Sequence, residues 1–139
     1  MPEPRLMQRA SGPFEVTLAP LASAWAGDPA PLARMSIEKQ FSGDLSATSQ
    51  GEMLSAGTAA KGSAGYVAIE KVTGTLHGRE GTFVLQHTAT MNRGVPSLSI
   101  SVIPDSGTGA LAGLTGTMQI MIDNKRHSYI FDYSFADAV

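Results

Sequence analysis

The sequence predicts an all-β fold, a single eight-stranded antiparallel barrel, from three observations. Apolar and polar residues alternate along many short segments, tight-turn residues separate these segments, and no long amphipathic helix interrupts them. A β-sandwich of the same strands is the alternative, but pairing the last strand with the first would remove both exposed edges. The barrel is therefore preferred, with one long Pro- and Ala-rich loop and at most short helical turns.

Length and composition limit the classes of protein to consider. The 139 residues suffice for one domain, which we place at residues 11–139 after a loose leader at residues 1–10. The net charge of −2 and the scattered basic residues give no footprint for nucleic acid or an anionic membrane. Cysteine is absent, which excludes disulfides. Prolines and charges interrupt the N-terminus and no run is long enough to span a membrane, so we expect a cytoplasmic protein.

The first half of the chain contains three predicted strands and a loop. Residues 14–18 alternate as a half-buried strand, and the loop of residues 20–31 follows with Trp25 at its centre. A second strand at residues 35–41 turns at Gly43-Asp44 into a weaker strand rich in small residues, at about residues 47–59.

The central hairpin supplies strands four and five, at residues 65–76 and 81–91. A Gly78-Arg79 turn, or equally a four-residue loop from His77 to Glu80, predicts that Glu70 lies opposite His87. An otherwise apolar face then carries one carboxylate beside one imidazole.

The last three strands continue the same meander. The sixth strand, residues 97–103, is expected to set Ile100 opposite His87. A loop and one helical turn, residues 110–114, lead to strand seven at residues 116–122. The turn at residues 123–126 then pairs strand seven with an aromatic eighth strand, with Ile120 opposite Tyr129.

Several segments together resemble a bacterial family of small domains of unknown function. They are Phe41-Ser42-Gly43-Asp44-Leu45, the run from Ile69 to Leu76, the run from Gly81 to His87, and the run from Gly107 to Leu114. The Gly107-Thr108-Gly109 loop is similar to that of allene oxide cyclase and dirigent barrels. The resemblance implies an eight-stranded barrel, often oligomeric, whose cavity in the plant relatives handles apolar or phenolic molecules. It carries no catalytic residue over to this chain.

Glu70 and His87 are the first candidates for a functional site. A carboxylate facing an imidazole would orient the ring and raise its basicity, as a general base requires. The first expectation is instead a hydrogen-bonded structural pair that fixes the register, the second is an anchor for a ligand, and the catalytic role comes third.

The remaining candidates are polar or aromatic side chains near that pair. Tyr66 and Tyr129 would direct phenols inward, Trp25 would be a lid or a cap, and Gln86 is included although this register turns it outward. The pattern leaves open whether Lys39 or Glu38 faces the interior; a solvated Lys39 is favoured, and an inward one would be a counter-ion for Glu70. The four methionines proposed for the interior are Met35, Met53, Met91 and Met118.

No metal site or cofactor is predicted, because no histidine pair has ligand spacing with a carboxylate. The first functional hypothesis is a barrel that binds a small apolar or amphipathic molecule. The second is an isomerase or cyclase that uses His87 and Glu70. The third is a filled barrel that forms a homo-oligomer through Val67, Ile69 and Val84 on its outer face.

Overall fold

A computed structural model describes residues 6–23 and 32–136 and shows the predicted barrel. Eight antiparallel strands close in sequence order, with β8 returning to pair with β1. The strands are β1 Gln8–Leu21, β2 Leu32–Phe41, β3 Leu45–Gly57, β4 Ala64–Leu76, β5 Arg79–Asn92, β6 Val95–Val102, β7 Leu114–Asp123 and β8 Arg126–Phe135. Alternation of buried and exposed residues along these strands directs one face of each into the barrel.

The two ends of the barrel differ. The closed end carries the β2–β3, β4–β5 and β6–β7 connections, and the mouth carries the other four connections between consecutive strands. At the closed end Phe131 stacks between Phe83 and Tyr133, with ring centroids 5.7 and 5.4 Å apart. Leu76, Leu111 and other apolar side chains of the core fill the space around these rings. Free interior space therefore has to lie toward the mouth.

Tyr129 ties the closed end together. Its side chain is fully buried, and its hydroxyl donates to the Ser42 carbonyl at 2.7 Å and accepts from the Leu45 amide at 2.8 Å. One phenol on β8 thus satisfies two backbone groups of the β2–β3 turn on the other side of β1.

The β4–β5 register differs from the predicted one by two residues. The turn residues are His77 and Gly78, whose φ angles of 45° and 81° suit a type I′ hairpin turn. Glu70 consequently lies opposite Leu85, and His87 lies opposite Ala68. The direct Glu70–His87 pairing was therefore wrong. A shift of two residues keeps every side chain on its predicted face, so both groups still point inward.

Other features of the prediction are confirmed or adjusted. His87 lies opposite Ile100 and Ile120 opposite Tyr129, as expected. Strand β1 begins at Gln8, inside the predicted leader, and the helical turn is a 3₁₀ helix at Gly109–Leu111 rather than at residues 110–114. Trp25 lies outside the described residues. Over the described ranges, no helix has the length and apolar character needed to cross a membrane.

Candidate functional site

A buried cluster of four polar side chains lies midway along the barrel interior. Its members are Lys39, Ser49, Glu70 and His87. Two donors meet at Oε1 of Glu70: Nζ of Lys39 at 3.0 Å and Nε2 of His87 at 2.9 Å. Oγ of Ser49 donates to the other carboxylate oxygen, Oε2, at 2.9 Å. Glu70 is fully buried, and Lys39 and His87 are 7% and 3% exposed, so every member belongs to the interior.

Four neighbouring strands supply the cluster, one residue each from β2 to β5. Gly51 lies opposite Glu70 on β3, and a Cβ atom there would stand 2.1 Å from the Ile69 carbonyl oxygen and 2.8 Å from Cβ of Glu70. Because glycine has no side chain, β3 and β4 approach closely and the carboxylate lies within reach of Ser49. Ala68, opposite His87, likewise leaves room for the imidazole.

The cluster holds Glu70 in its ionised form. Burial acts to raise the pKa of Glu70, but the hydrogen bonds and charges of His87 and Lys39 together outweigh it, so the pKa lies below its ordinary value. The Lys39 ammonium also lies over two aromatic rings, 5.2 Å from the centroid of Phe14 and 5.8 Å from that of Phe41. The buried carboxylate is therefore compensated by a cation that is itself well solvated by the protein.

His87 has one ring nitrogen committed and one available. An ionised carboxylate only accepts, so Nε2 carries the proton that bonds Glu70, and Nδ1 remains as the second ring nitrogen. Among the described residues, neither Nδ1 of His87 nor the Tyr66 hydroxyl has a hydrogen-bond partner. Every fully buried side-chain nitrogen or oxygen in the same residues does have one, so neither of these two atoms is fully buried.

An apolar cavity of about 460 Å³ lies at the mouth, and we call it the mouth cavity. It is lined by inward-facing residues of β3 to β7, among them Met53, Tyr66, Ala89, Met91, Leu98 and Ile122. Toward the floor of this cavity, Ala68 and Ala89 are the next inward-facing residues on the mouth side of Glu70 and His87, and both have small side chains. Burial raises the pKa of Tyr66, and the nearby charge of Glu70 raises it further. The ionisation of this phenol therefore depends on the charge of the polar cluster.

The structure brings some of the predicted site residues together and separates others. Glu70, His87 and Tyr66 surround one region of the interior. Gln86 is exposed on the outer face of β5, as its register implied, and so takes no part. Tyr129 lies at the closed end with its hydroxyl occupied by backbone groups. Of the proposed interior methionines, Met118 is core, Met53 and Met91 line the cavity, and Met35 is half-buried.

Two members of the cluster were misjudged or missed from the sequence. Lys39 is buried, so the preference for a solvated lysine was wrong, and Glu38 is exposed instead. The signal was its position in phase with Ile37 and Phe41, which outweighed the rarity of buried lysine. Ser49 was not singled out at all, although it follows the same alternation along β3.

Within the described part of the chain, no group of three histidine, aspartate or glutamate side chains is placed to hold a metal ion. The cluster itself offers one carboxylate whose oxygens already accept three hydrogen bonds. Hydrogen bonding, and proton transfer at Nδ1 of His87, is the chemistry that these side-chain types can offer.

Comparisons with known proteins agree with this architecture. A protein of unknown function of the DUF3224 family from Shewanella oneidensis MR-1, known from its crystal structure, is 50% identical. The match covers 95% of this chain and 100% of that one, with a TM-score of 0.90. The chain matches no curated protein at a significant level. The model of the family described as "Protein of unknown function (DUF3224)" matches residues 10–133, and the chain therefore belongs to that family.

Proposed function

We propose that the barrel binds a small amphipathic molecule in the mouth cavity, with an apolar body among the side chains of the mouth and one polar group at the floor. The observation that carries this proposal is an apolar cavity lined in part by Tyr66, whose hydroxyl has no partner among the described residues and whose pKa responds to Glu70 of the buried cluster. His87, bonded to the same Glu70, is the second polar group that we assign to the ligand. Ligand sites commonly combine an apolar lining with a few placed polar groups.

The charges around the floor favour an uncharged polar group. Lys39 and Glu70 already neutralise each other at 3.0 Å, so a further ion would be desolvated without a counter-ion of its own. A hydroxyl can donate to Nδ1 of His87 and accept from Tyr66 at the same time. An alcohol or phenol with an apolar body is therefore the ligand class that the site suits.

The cavity size is consistent with this class. About 460 Å³ falls within the roughly 300–1,000 Å³ typical of small-molecule sites. Met53 and Met91 are unbranched and flexible, so the lining adapts to ligands of different shape.

Native mass spectrometry of freshly purified protein is the first test, followed by release and identification of any molecule that stays bound. The proposal expects a stoichiometric alcohol or phenol. A defined probe is 1-naphthol, whose fluorescence reports transfer into an apolar site. His87→Gln and Tyr66→Phe should each weaken 1-naphthol binding about threefold to tenfold, the value of one hydrogen bond.

Gln86→Ala is the matched control, because Gln86 is a polar residue of the same strand on the outer face. It should leave the affinity for 1-naphthol unchanged. Equal affinities in wild type, His87→Gln and Tyr66→Phe would show that these groups are not the anchor. No binding of 1-naphthol to the wild type, together with a clean apo mass, would contradict the proposal.

An isomerase or cyclase is a second candidate, favoured by the Glu70–His87 geometry. A carboxylate that holds Nε2 leaves Nδ1 as a proton acceptor, which is the arrangement of an oriented general base. Under this candidate His87→Gln abolishes turnover but retains binding, whereas under simple binding it weakens affinity. If only stability changes, the pair is structural.

A further inference from the structure

Of all neighbouring strands in the described barrel, β6 and β7 share the fewest paired residues. Over the described residues, one register pair, Ser101 with Thr117, joins these two strands. By contrast, the β5–β6 ladder runs through eight pairs, from Leu85–Val102 to Asn92–Val95. From Ser101 toward the mouth, no further register pair joins the two strands, and we call this unpaired stretch of the barrel wall the β6–β7 slit.

The sequence of β6 suits such an opening. Residues 95–99 are all exposed, on both faces of the strand. Pro96 has no amide hydrogen to donate, and proline within a sheet is confined to edge-like positions. Ser97 and Ser99 are small, and backbone groups left without a strand partner here remain accessible to water. On the side that faces β7, this part of β6 is therefore an unpaired strand edge, while its other side is paired with β5.

The slit communicates with the mouth cavity. Pro96, Ser97 and Leu98 on β6 and Ile122 on β7 belong to the cavity lining. Leu98 and Ile122 occupy inward-facing positions, yet they are 43% and 67% exposed. Their exposed apolar surface carries a hydrophobic cost that an occupant of the slit would remove.

We infer that the β6–β7 slit is a lateral opening through which the apolar tail of the ligand extends, so that the ligand is an elongated single-chain amphiphile. This inference rests on the proposed function, since it places the polar group at His87 and Tyr66. A chain longer than the cavity then passes between Leu98 and Ile122 instead of folding inside. The site thus accepts long tails and places little limit on their length.

A reversible cross-link across the slit tests this directly, because the chain has no cysteine of its own. Continuing the register from Ser101–Thr117 by two residues brings Ser99 and Gln119 to facing positions, and neither lines the cavity. The test variant is Ser99→Cys/Gln119→Cys, whose disulfide closes the slit when oxidised and reopens it when reduced. Where the disulfide does not form, the thiol-bridging reagent dibromobimane joins the same two cysteines. The matched control is Ser99→Cys/Thr88→Cys, which joins Ser99 to its observed partner on β5 and leaves the slit open.

Two probes separate the two proposals: 1-naphthol, which is compact, and a pyrenyl decanol, which carries a hydroxyl and a long tail with a bulky end. Closing the slit should weaken binding of the pyrenyl decanol at least about tenfold and change that of 1-naphthol less than about twofold, and reduction of the disulfide should restore it. The control cross-link should change neither.

Equal binding of the pyrenyl decanol with the slit open and closed would overturn the lateral opening while leaving the cavity proposal intact. Failure of the reduced protein to bind either probe would instead reject the cavity proposal, and the opening with it. A dimer in native mass spectra that disappears on cross-linking would show that a second chain occupies the seam, which also overturns the inference.

Discussion

Glu70 is the residue on which the interior polar cluster depends. Three donors from three other strands meet its two oxygens, and the Glu70 side chain is fully buried. Removal of one partner from a buried ion pair leaves the other charge without compensation, which costs more than the pair contributes. The energetic role of Glu70 is thus separable from any role of His87 toward a ligand.

Glu70→Gln should lower the free energy of unfolding by about 3–5 kcal/mol, because the Lys39 ammonium stays buried without its counter-ion. Urea denaturation measures this. The control is Glu52→Gln, which breaks the exposed Arg34–Glu52 ion pair and should cost less than about 1 kcal/mol. Lys39→Met added to Glu70→Gln should recover most of the loss, since no buried charge remains. A Glu70→Gln protein as stable as the Glu52→Gln protein would show that the cluster does not compensate Lys39.

The depressed pKa of Glu70 also predicts acid sensitivity. A carboxyl whose pKa is lower in the folded than in the unfolded chain adds stability above the unfolded pKa, near 4.5, and that stability is lost as pH falls toward the folded value. Unfolding free energies measured from about pH 7 to about pH 3 should therefore fall more steeply in wild type than in Glu70→Gln. Asp132→Asn is the comparison: the hydrogen bond from Arg9 also lowers the Asp132 pKa, but that pair is exposed and screened. An acid limb that Asp132→Asn flattens more than Glu70→Gln would contradict the prediction.

Strand β8 stabilises the β2–β3 turn at the closed end through the hydroxyl of Tyr129. Tyr129→Phe removes the acceptor of the Leu45 amide and the donor to the Ser42 carbonyl, and should cost about 1–3 kcal/mol of unfolding free energy. Tyr66→Phe is the matched control, because the Tyr66 hydroxyl has no partner within the described residues. It should change stability by less than about 0.5 kcal/mol while weakening 1-naphthol binding. A large loss of stability in Tyr66→Phe together with none in Tyr129→Phe would contradict the roles assigned to the two phenols.

The same elements show how far the sequence predicts this fold. Alternation and turn residues predict the strands, their order and which side chains face inward, since a slip of one residue would reverse every face. A slip of two residues preserves every face, so the pattern could not distinguish the observed β4–β5 register from the predicted one. The deciding feature is the positive φ of His77, which places the two-residue turn at His77-Gly78. Burial of Lys39 depends on partners contributed by other strands, which periodicity within β2 does not contain.

The whole barrel divides its interior between stability and accessible space. Aromatic packing fills the closed end, the polar cluster lies midway along the interior, and apolar side chains toward the mouth remain partly exposed. A barrel of eight strands has room for either a full core or one small ligand. This chain has a packed core in one half and an apolar cavity in the other, and Leu98 and Ile122 of the cavity lining are exposed.

The outer wall carries a separate apolar area that predicts self-association. Leu54, Val67 and Ile69 are 56%, 50% and 48% exposed on the outer face of β3 and β4, and Leu54 lies directly opposite Val67. Val84, also predicted as a contact, is half-buried. Contiguous exposed apolar side chains of this kind mark interaction surfaces, and homo-oligomers are their commonest product.

Val67→Lys/Ile69→Lys should convert such an oligomer to a monomer in native mass spectra, because two charges would be desolvated at the contact. Binding of 1-naphthol should stay within about twofold of wild type, since both side chains point away from the mouth cavity. Thr73→Lys/Thr75→Lys, which adds the same charge to the polar part of the same face, is the control and should leave the oligomer unchanged. A wild-type protein that is monomeric at micromolar concentration would show that this face stays in water, and the exposed Val67 and Ile69 would then be an ordinary part of the barrel surface.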